Sequence, residues 1–510
     1  MPEDVRPRVR LFGELLAHWA RERPGDTALI FGDRSWTWAE FDERARRLSG
    51  ALAAAGVGRG DRVAFVDKNH PACLETTFAA AGIGAANAVV NWRLSGDELA
   101  YVLNDSGAKV VFVGTDLLPV LDAIRDRLPA LERVVVLDEY EAFLASGEPH
   151  TAAGLDEDDG VLIMYTSGTT GFPKGAVLTH HSVIAHGLAA GTAFPIGPGD
   201  VNLVAMPLFH VGGSCYAVSG FLYGEPSYLT REPDAASLFA ALQAGITHAF
   251  LVPAVVAGIA QAGEAALKAF SRLKYLCYGA SPMPLPLLRT ALAAWPDTKF
   301  AQVYGMTELS GAVTALTPEA HRDASRLERL ASAGTALSGV DIRIVDPVTA
   351  EDTEVGEVWI RTEQRMAGYL GKPEATAETI VDGWVRTGDV GRLDDGGFLF
   401  LEDRVKDMII TGGENVYSPE VERVVAEFPG VVEVAVIGVP DDRWGEQVKA
   451  VVAGEQLDAD KIVEFCRERL AHYKCPRSVD VVEALPRNAT GKILKRSLRE
   501  PYWRDRDRNV

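Results

Sequence analysis

Apolar residues along the first half of the chain follow two alternating periods. Over residues 39–55 they recur three and four apart, with Phe41, Leu48 and Leu52 on one face, which predicts an amphipathic helix. Thr37 precedes Glu40 by three positions, a capping-box pattern at its start, and Gly56 supplies a stop. Residues 14–22 read the same way. The runs 62–66, 88–91 and 109–113 are short, apolar and rich in strand formers, while 73–82 and 99–103 between them read as helical. Strand alternating with helix predicts a doubly wound parallel sheet. The pattern returns with strands at 161–165, 201–206, 248–252, 275–278 and 300–304, and a helix at 235–245.

From about Ala333 the texture shifts to shorter β segments at 341–345, 356–361 and 398–401. A charged break, D-R-V-K-D at 403–407, is followed by strands at 431–439 and 447–452 and a helix at 461–471. The expected fold class is α/β: a large N-terminal domain of doubly wound sheets with a β-rich subdomain over 1–403, a hinge at 404–407, and a small α+β domain over 408–510. Residues 503–510 are charged and read as a frayed tail.

Composition narrows the class. At 510 residues the chain is too long for one core. Its 47% hydrophobic and 24% charged residues suit a soluble globular enzyme. A formal net charge of −20 argues against nucleic acid or an anionic membrane as the main partner, and leaves open a local site for phosphate. The five cysteines lack C-x-x-C spacing, so reduced thiols and no structural metal are expected, in a cytoplasmic protein. The first ten residues lack the apolar core of a signal peptide. The longest apolar run, 79–90, is short and broken by glycine, so no transmembrane segment is expected. A monomer or homodimer fits equally.

Candidate chemistry concentrates at 165–175, Y-T-S-G-T-T-G-F-P-K-G. Gly168, Gly171 and Gly175 let backbone N–H groups approach an anion. Thr166, Ser167, Thr169 and Thr170 add neutral donors, and Lys174 adds a cation. This suits a polyphosphate. It is not the Walker A pattern, because glycine rather than Ser or Thr follows the lysine. A second string, Y-G-M-T-E at 304–308, ends a strand with a tyrosine able to stack on a purine. Thr307 can donate to phosphate, and the carboxylate of Glu308 can hold Mg²⁺ against phosphates. T-G-D at 387–389 offers Asp389, whose carboxylate can accept two ribose hydroxyls.

These strings closely resemble those of the adenylate-forming superfamily, which contains acyl-CoA synthetases, peptide-synthetase adenylation domains and firefly luciferase. The resemblance runs along most of the chain and is strongest toward bacterial fatty-acyl-CoA ligases. It implies ATP, Mg²⁺ and coenzyme A as cofactor and co-substrates, a small-molecule carboxylic acid as partner, and a mobile C-terminal domain. It implies adenine for Tyr304, α-phosphate for Thr307, Mg²⁺ for Glu308, and ribose for Asp389 and Arg404. Gly279, Ala280, Ser281 and Gly305 are placed beside the nucleotide. In P-R-N-A-T-G-K at 486–492, Lys492 matches the lysine that bridges substrate carboxylate and α-phosphate. Such a cation stabilises the charge growing on phosphorus as two anions meet. Lys406 matches the hinge, and Gly412, Gly413 and Glu414 match the segment lining the pantetheine channel.

The acyl side is read from 210–214, 277–281 and 302–312: His210, Val211, Gly212, Gly279, Gly305, Leu309 and Gly311. His210 reads as wall or gate, since a carboxylate is already ionised at pH 7 and needs no base. No Arg or Lys lies in these segments, so a second carboxylate would be buried unpaired, which disfavours dicarboxylates. The glycines leave room, which disfavours acetate. The expected reaction is activation of a medium- or long-chain fatty acid as acyl-AMP and its transfer to CoA, releasing AMP and pyrophosphate. The alternatives are a benzoate- or cinnamate-type aromatic acid, or a luciferase-like or stand-alone adenylating enzyme.

Overall fold

The computed structural model describes residues 7–166, 173–281, 283–347, 349–404, 407–411, 414–441, 443–487 and 493–504. The chain forms two compact units, one of residues 1–341 with 360–385, the other of 342–359 with 386–510. The fold is α/β, with a large N-terminal and a small C-terminal domain.

The large unit is built on two sheets. One has seven strands, in which Arg62–Val66 pairs in parallel with Ala86–Val90 and with Val110–Val113. The helices Pro71–Ala81 and Gly96–Ser106 connect these strands, as the alternation of periods predicts. The other has nine strands, with His248–Leu251, Tyr275–Gly279 and Lys299–Met306 parallel in its centre. Both carry antiparallel edges: Gly311–Leu316 returns beside Lys299–Met306, and Lys174–Thr179 returns beside Gly160–Thr166. The stretch around the glycine–hydroxyl loop is therefore a β-hairpin. Strand Lys174–Thr179 was not expected from the sequence.

Helix Trp38–Ala54 shows why the local reading works. Thr37 Oγ1 accepts from the Glu40 N–H at 3.2 Å, and Glu40 accepts from the Thr37 N–H at 2.8 Å, closing the capping box. Phe41, Leu48 and Leu52 are fully buried. They join Phe12, Trp19, Trp38, Phe78 and Phe221 in the main core, where Phe41, Phe78 and Phe221 meet ring to ring at 5.5–6.0 Å.

The smaller unit holds a five-stranded sheet led by the long antiparallel pair Val431–Asp441 and Gly445–Gly454. Helices Ser418–Val425 and Ala459–Arg467 bury Val421, Val425, Ile462 and Cys466 against it. Trp503, expected in a frayed tail, ends helix Lys495–Trp503, and its indole N–H donates to the Gly438 carbonyl at 3.0 Å. That side chain has a fixed partner, which the charge pattern of the tail did not reveal. All five cysteines are buried, unpaired thiols.

Candidate active site

Strand ends place the candidate residues of the large unit. In open α/β sheets, ligands sit at the carboxyl ends of the strands. Thr166 ends Gly160–Thr166 and Lys174 begins the returning strand, the two being register partners. Ser167, Gly168, Thr169, Thr170 and Gly171 lie outside the described residues. The loop is held at its base from both sides. Tyr165 donates to Asp105 Oδ2 at 2.9 Å, Lys372 donates to Asp105 Oδ1 at 2.5 Å, and Tyr101 donates to the Pro173 carbonyl at 3.1 Å. Gly175 allows the close crossing, because a Cβ there would lie 2.8 Å from Ile163 and 3.1 Å from the Tyr165 ring.

On the neighbouring sheet, Lys299–Met306 carries Tyr304 and Gly305 at a β-bulge, and Thr307–Leu309 follows as one tight turn. Gly305 is required by packing: a Cβ there would fall 1.8 Å from the Gly311 carbonyl oxygen. The candidate Ala280 (φ 64°) and, next to Leu309, Ser310 (φ 56°) are non-glycine residues in the left-handed region. Such backbone strain gathers at ligand sites. Glu308 is 6% exposed, and its Oε1 accepts from the Tyr369 hydroxyl at 2.6 Å. The Lys174 ammonium sits 4.3 Å from the centre of the same Tyr369 ring. The structure thus joins Lys174 and Glu308 through a third residue that the sequence reading missed. Burial, then the Glu308 carboxylate, push the Tyr369 phenol up, so it stays a donor.

Glu308 fits a magnesium site. One oxygen is fixed by Tyr369, and the other makes no hydrogen bond to a described residue. Mg²⁺ takes one or two protein carboxylates and completes its shell with phosphates and water.

Two of the acyl-side candidates, Val211 and Gly212, open helix Val211–Leu222. His210 caps it: Nδ1 accepts from the Gly212 N–H at 3.1 Å, which commits that nitrogen as an acceptor. The three atoms nearest a Cβ at Gly212 would be side-chain atoms, of Phe250 at 3.0 Å, His210 at 3.3 Å and Met206 at 3.7 Å. Gly279 and Gly311 differ. A Cβ at Gly279 would lie 2.5 Å from the Val303 carbonyl oxygen. Gly311 has φ 135°, and a Cβ there would lie 2.4 Å from His186 Nε2. Burial pushes the His186 imidazole down to about 4, so it is neutral at pH 7. Val211 and Leu309 are buried.

In the smaller unit, Asp389 and Arg404, both assigned to ribose by resemblance, are register partners across an antiparallel ladder. The turn before Asp389 hangs from a carboxylate that the sequence reading missed. Glu357, 3% exposed, accepts from the Gly388 N–H at 3.1 Å, the Trp359 indole at 2.9 Å and Arg386 at 3.0 Å. Gly388 takes φ 69°, which glycine adopts without strain. Lys406, Gly412, Gly413 and Lys492 lie outside the described residues, as does the side chain of Glu414. Their flanks are ordered pairs. Thr411 faces Glu414, and Arg487 faces Ile493. Glu433 clasps the latter by accepting from the Leu485 N–H at 3.1 Å and from Arg487.

Comparison with known proteins agrees along the whole chain. Residues 16–370 match the AMP-binding enzyme family and residues 420–492 its C-terminal domain. A fatty acid–[acyl-carrier-protein] ligase of Streptomyces coeruleorubidus is 37% identical, over 99% of each chain. A long-chain-fatty-acid–CoA ligase of Mycobacterium tuberculosis is 38% identical, over 92% of this chain and 94% of its own. A feruloyl-CoA synthase of an Amycolatopsis species is 38% identical, over 95% and 97%. The solved O-succinylbenzoate coenzyme A synthetase of Bacillus subtilis, in complex with ATP and magnesium, superposes with TM-score 0.84 at 28% identity, covering 95% of this chain and 98% of that one. The chain therefore belongs to the AMP-binding enzyme family, the adenylate-forming superfamily, in the branch that contains acyl-CoA ligases.

Proposed function

We propose that this protein is an ATP-dependent acyl-CoA ligase that activates a medium- or long-chain fatty acid as acyl-AMP and transfers the acyl group to CoA. The observation that carries the reading is the joining of Lys174 and Glu308 through Tyr369 at the foot of the glycine–hydroxyl loop. A cation and a metal-ready carboxylate held on one ring suit a bound triphosphate. Mg²⁺, when bound, would neutralise phosphate charge as pyrophosphate leaves. Thr307 is assigned to the α-phosphate and Tyr304 to the adenine face. Asp389, with Arg404, is assigned to the ribose. Lys492 is assigned to the transition state for attack by the carboxylate oxygen on the α-phosphorus. The segment containing Gly412, Gly413 and Glu414 is assigned to pantetheine, and Lys406 to the hinge that separates the two half-reactions.

The fatty-acid assignment draws on the acyl-side residues, which carry no cation, and on the relatives named for fatty acids. An aromatic acid is the second reading, favoured by the feruloyl-CoA synthase at equal identity. Pyrophosphate release measured across saturated fatty acids of graded length, cinnamates and benzoates, with CoA or a carrier protein as acceptor, separates these readings. Higher kcat/KM for a cinnamate than for every fatty acid would reject the first. Transfer to the carrier protein but not to CoA would reassign the acceptor.

A further inference from the structure

Tyr369 lies almost two hundred positions from Lys174 and outside every motif read from the sequence, yet it touches two of the residues on which the nucleotide reading depends. Its backbone is fixed on both sides. Strand Gly368–Tyr369 pairs with the strand begun by Lys174, Tyr369 facing Ala176, and the Tyr369 N–H donates to Thr376 Oγ1 at 2.9 Å. The Met366 N–H donates to the Glu308 carbonyl at 2.8 Å, so the same strap also grips the Glu308 backbone. The side chain is 7% exposed. Its hydroxyl donates to Glu308 Oε1, since a carboxylate only accepts, and its face carries the Lys174 ammonium.

We propose that Tyr369 is a positioning residue for the metal carboxylate. The phenol pins one oxygen of Glu308 and so presents the other alone, in one orientation, to a magnesium ion on the ATP phosphates. The ring, separately, seats Lys174. This rests on the reading of Glu308 as a magnesium carboxylate. Groups that orient a metal ligand through its second atom typically set metal affinity by about 10–100-fold. A buried acid with two free rotamers would lose that orientation.

The two roles divide between two substitutions. Tyr369→Phe keeps the ring and removes only the hydroxyl, and Tyr369→Leu removes both. Calorimetric titration of the full-length protein with ATP, repeated over a series of Mg²⁺ concentrations and without any acid, reads binding rather than turnover. For Tyr369→Phe the expected result is a Mg²⁺ requirement raised by about 10–100-fold, with metal-free ATP affinity unchanged. For Tyr369→Leu, metal-free ATP affinity falls as well. The double variant Tyr369→Phe with Glu308→Gln should need no more Mg²⁺ than Glu308→Gln alone, because the hydroxyl acts through that carboxylate; a merely structural role would add to it. A wild-type Mg²⁺ dependence in Tyr369→Phe, beside a shifted one in Glu308→Gln, overturns the positioning role and leaves the reading of Glu308 intact. An unshifted Glu308→Gln overturns both.

Discussion

Glu357→Gln tests whether the ribose-side turn is held as the structure indicates. The native carboxylate takes Gly388 on Oε1, and Trp359 and Arg386 on Oε2. Glutamine has the same shape but one acceptor oxygen. Whichever way the amide turns, its NH₂ faces a donor, either the Gly388 N–H or the Trp359–Arg386 pair. One buried donor left unpaired costs about 1–3 kcal/mol. The lost ion pair adds less than about 1 kcal/mol, because the Arg386 side chain is 37% exposed and screened by solvent. The sum is about 1–4 kcal/mol, against a few tenths for an ordinary surface change. Urea unfolding monitored by tryptophan fluorescence reads this, Trp359 being one of the donors to the native carboxylate. The turn also carries Asp389, so calorimetric titration should show ATP binding weakened by about tenfold, equal to 1.4 kcal/mol. Stability and ATP affinity both within error of wild type would refute the role given to Glu357. Lost stability with unchanged ATP affinity would detach Asp389 from the ribose.

Further outcomes follow from other residues. Lys492→Ala should slow acyl-AMP formation by roughly 10²–10³ and leave thioester formation from supplied acyl-AMP much less affected; equal loss in both half-reactions would remove Lys492 from the adenylation step. Gly212→Leu, at a position where the three atoms nearest a Cβ are side-chain atoms of Phe250, His210 and Met206, should move the preferred acid toward shorter chains; an unchanged profile would take Gly212 out of the acyl site. Lys406→Pro fixes φ near −65° and should spare pyrophosphate release without CoA while slowing use of preformed acyl-AMP; equal effects on both would reject the hinge. His186, buried and held at about 4 in the folded chain, binds its proton more readily when unfolded, where its value is about 6.5. Its contribution to stability is therefore intact above about 6.5 and lost progressively as pH falls toward 4. His186→Leu should flatten the stability–pH curve over that window, and an unaltered curve would show that the ring is not the titrating group.

What the sequence disclosed depended on whether the signal was local. Helix Trp38–Ala54 was legible because one face is apolar, the other charged, and its cap is spelled out within four residues. Helices His180–Ala193 and Val211–Leu222 were not, because neither carries an amphipathic stripe and the second is buried at every position but Gly212. Parallel strands such as Arg62–Val66, Val110–Val113, His248–Leu251 and Tyr275–Gly279 were legible as apolar runs, whereas the parallel strands Arg133–Val136 and Ser227–Leu229 were passed over and Lys174–Thr179 was hidden behind the glycine–hydroxyl loop. Glu308 and Asp389 were identified as single residues within strings. Tyr369 and Glu357, which hold those strings, and Asp105 and Glu433, which hold the residues flanking the glycine–hydroxyl loop and the 486–492 string, act across large sequence separations that no local pattern records. The packing of Gly279 on Val303 and of Gly311 on His186 is equally non-local, so enlarging either residue would test folding rather than acyl-chain length.

In the proposed reaction a carboxylate oxygen of the acid attacks the α-phosphorus of ATP. A single turnover with an acid carrying heavy oxygen in its carboxylate, followed by mass analysis of every nucleotide formed, tests it most directly. The expected result is acyl-AMP formed with pyrophosphate, and AMP bearing one heavy oxygen once CoA has taken the acyl group. Unlabelled AMP, or ADP with the label in inorganic phosphate, would contradict the mechanism.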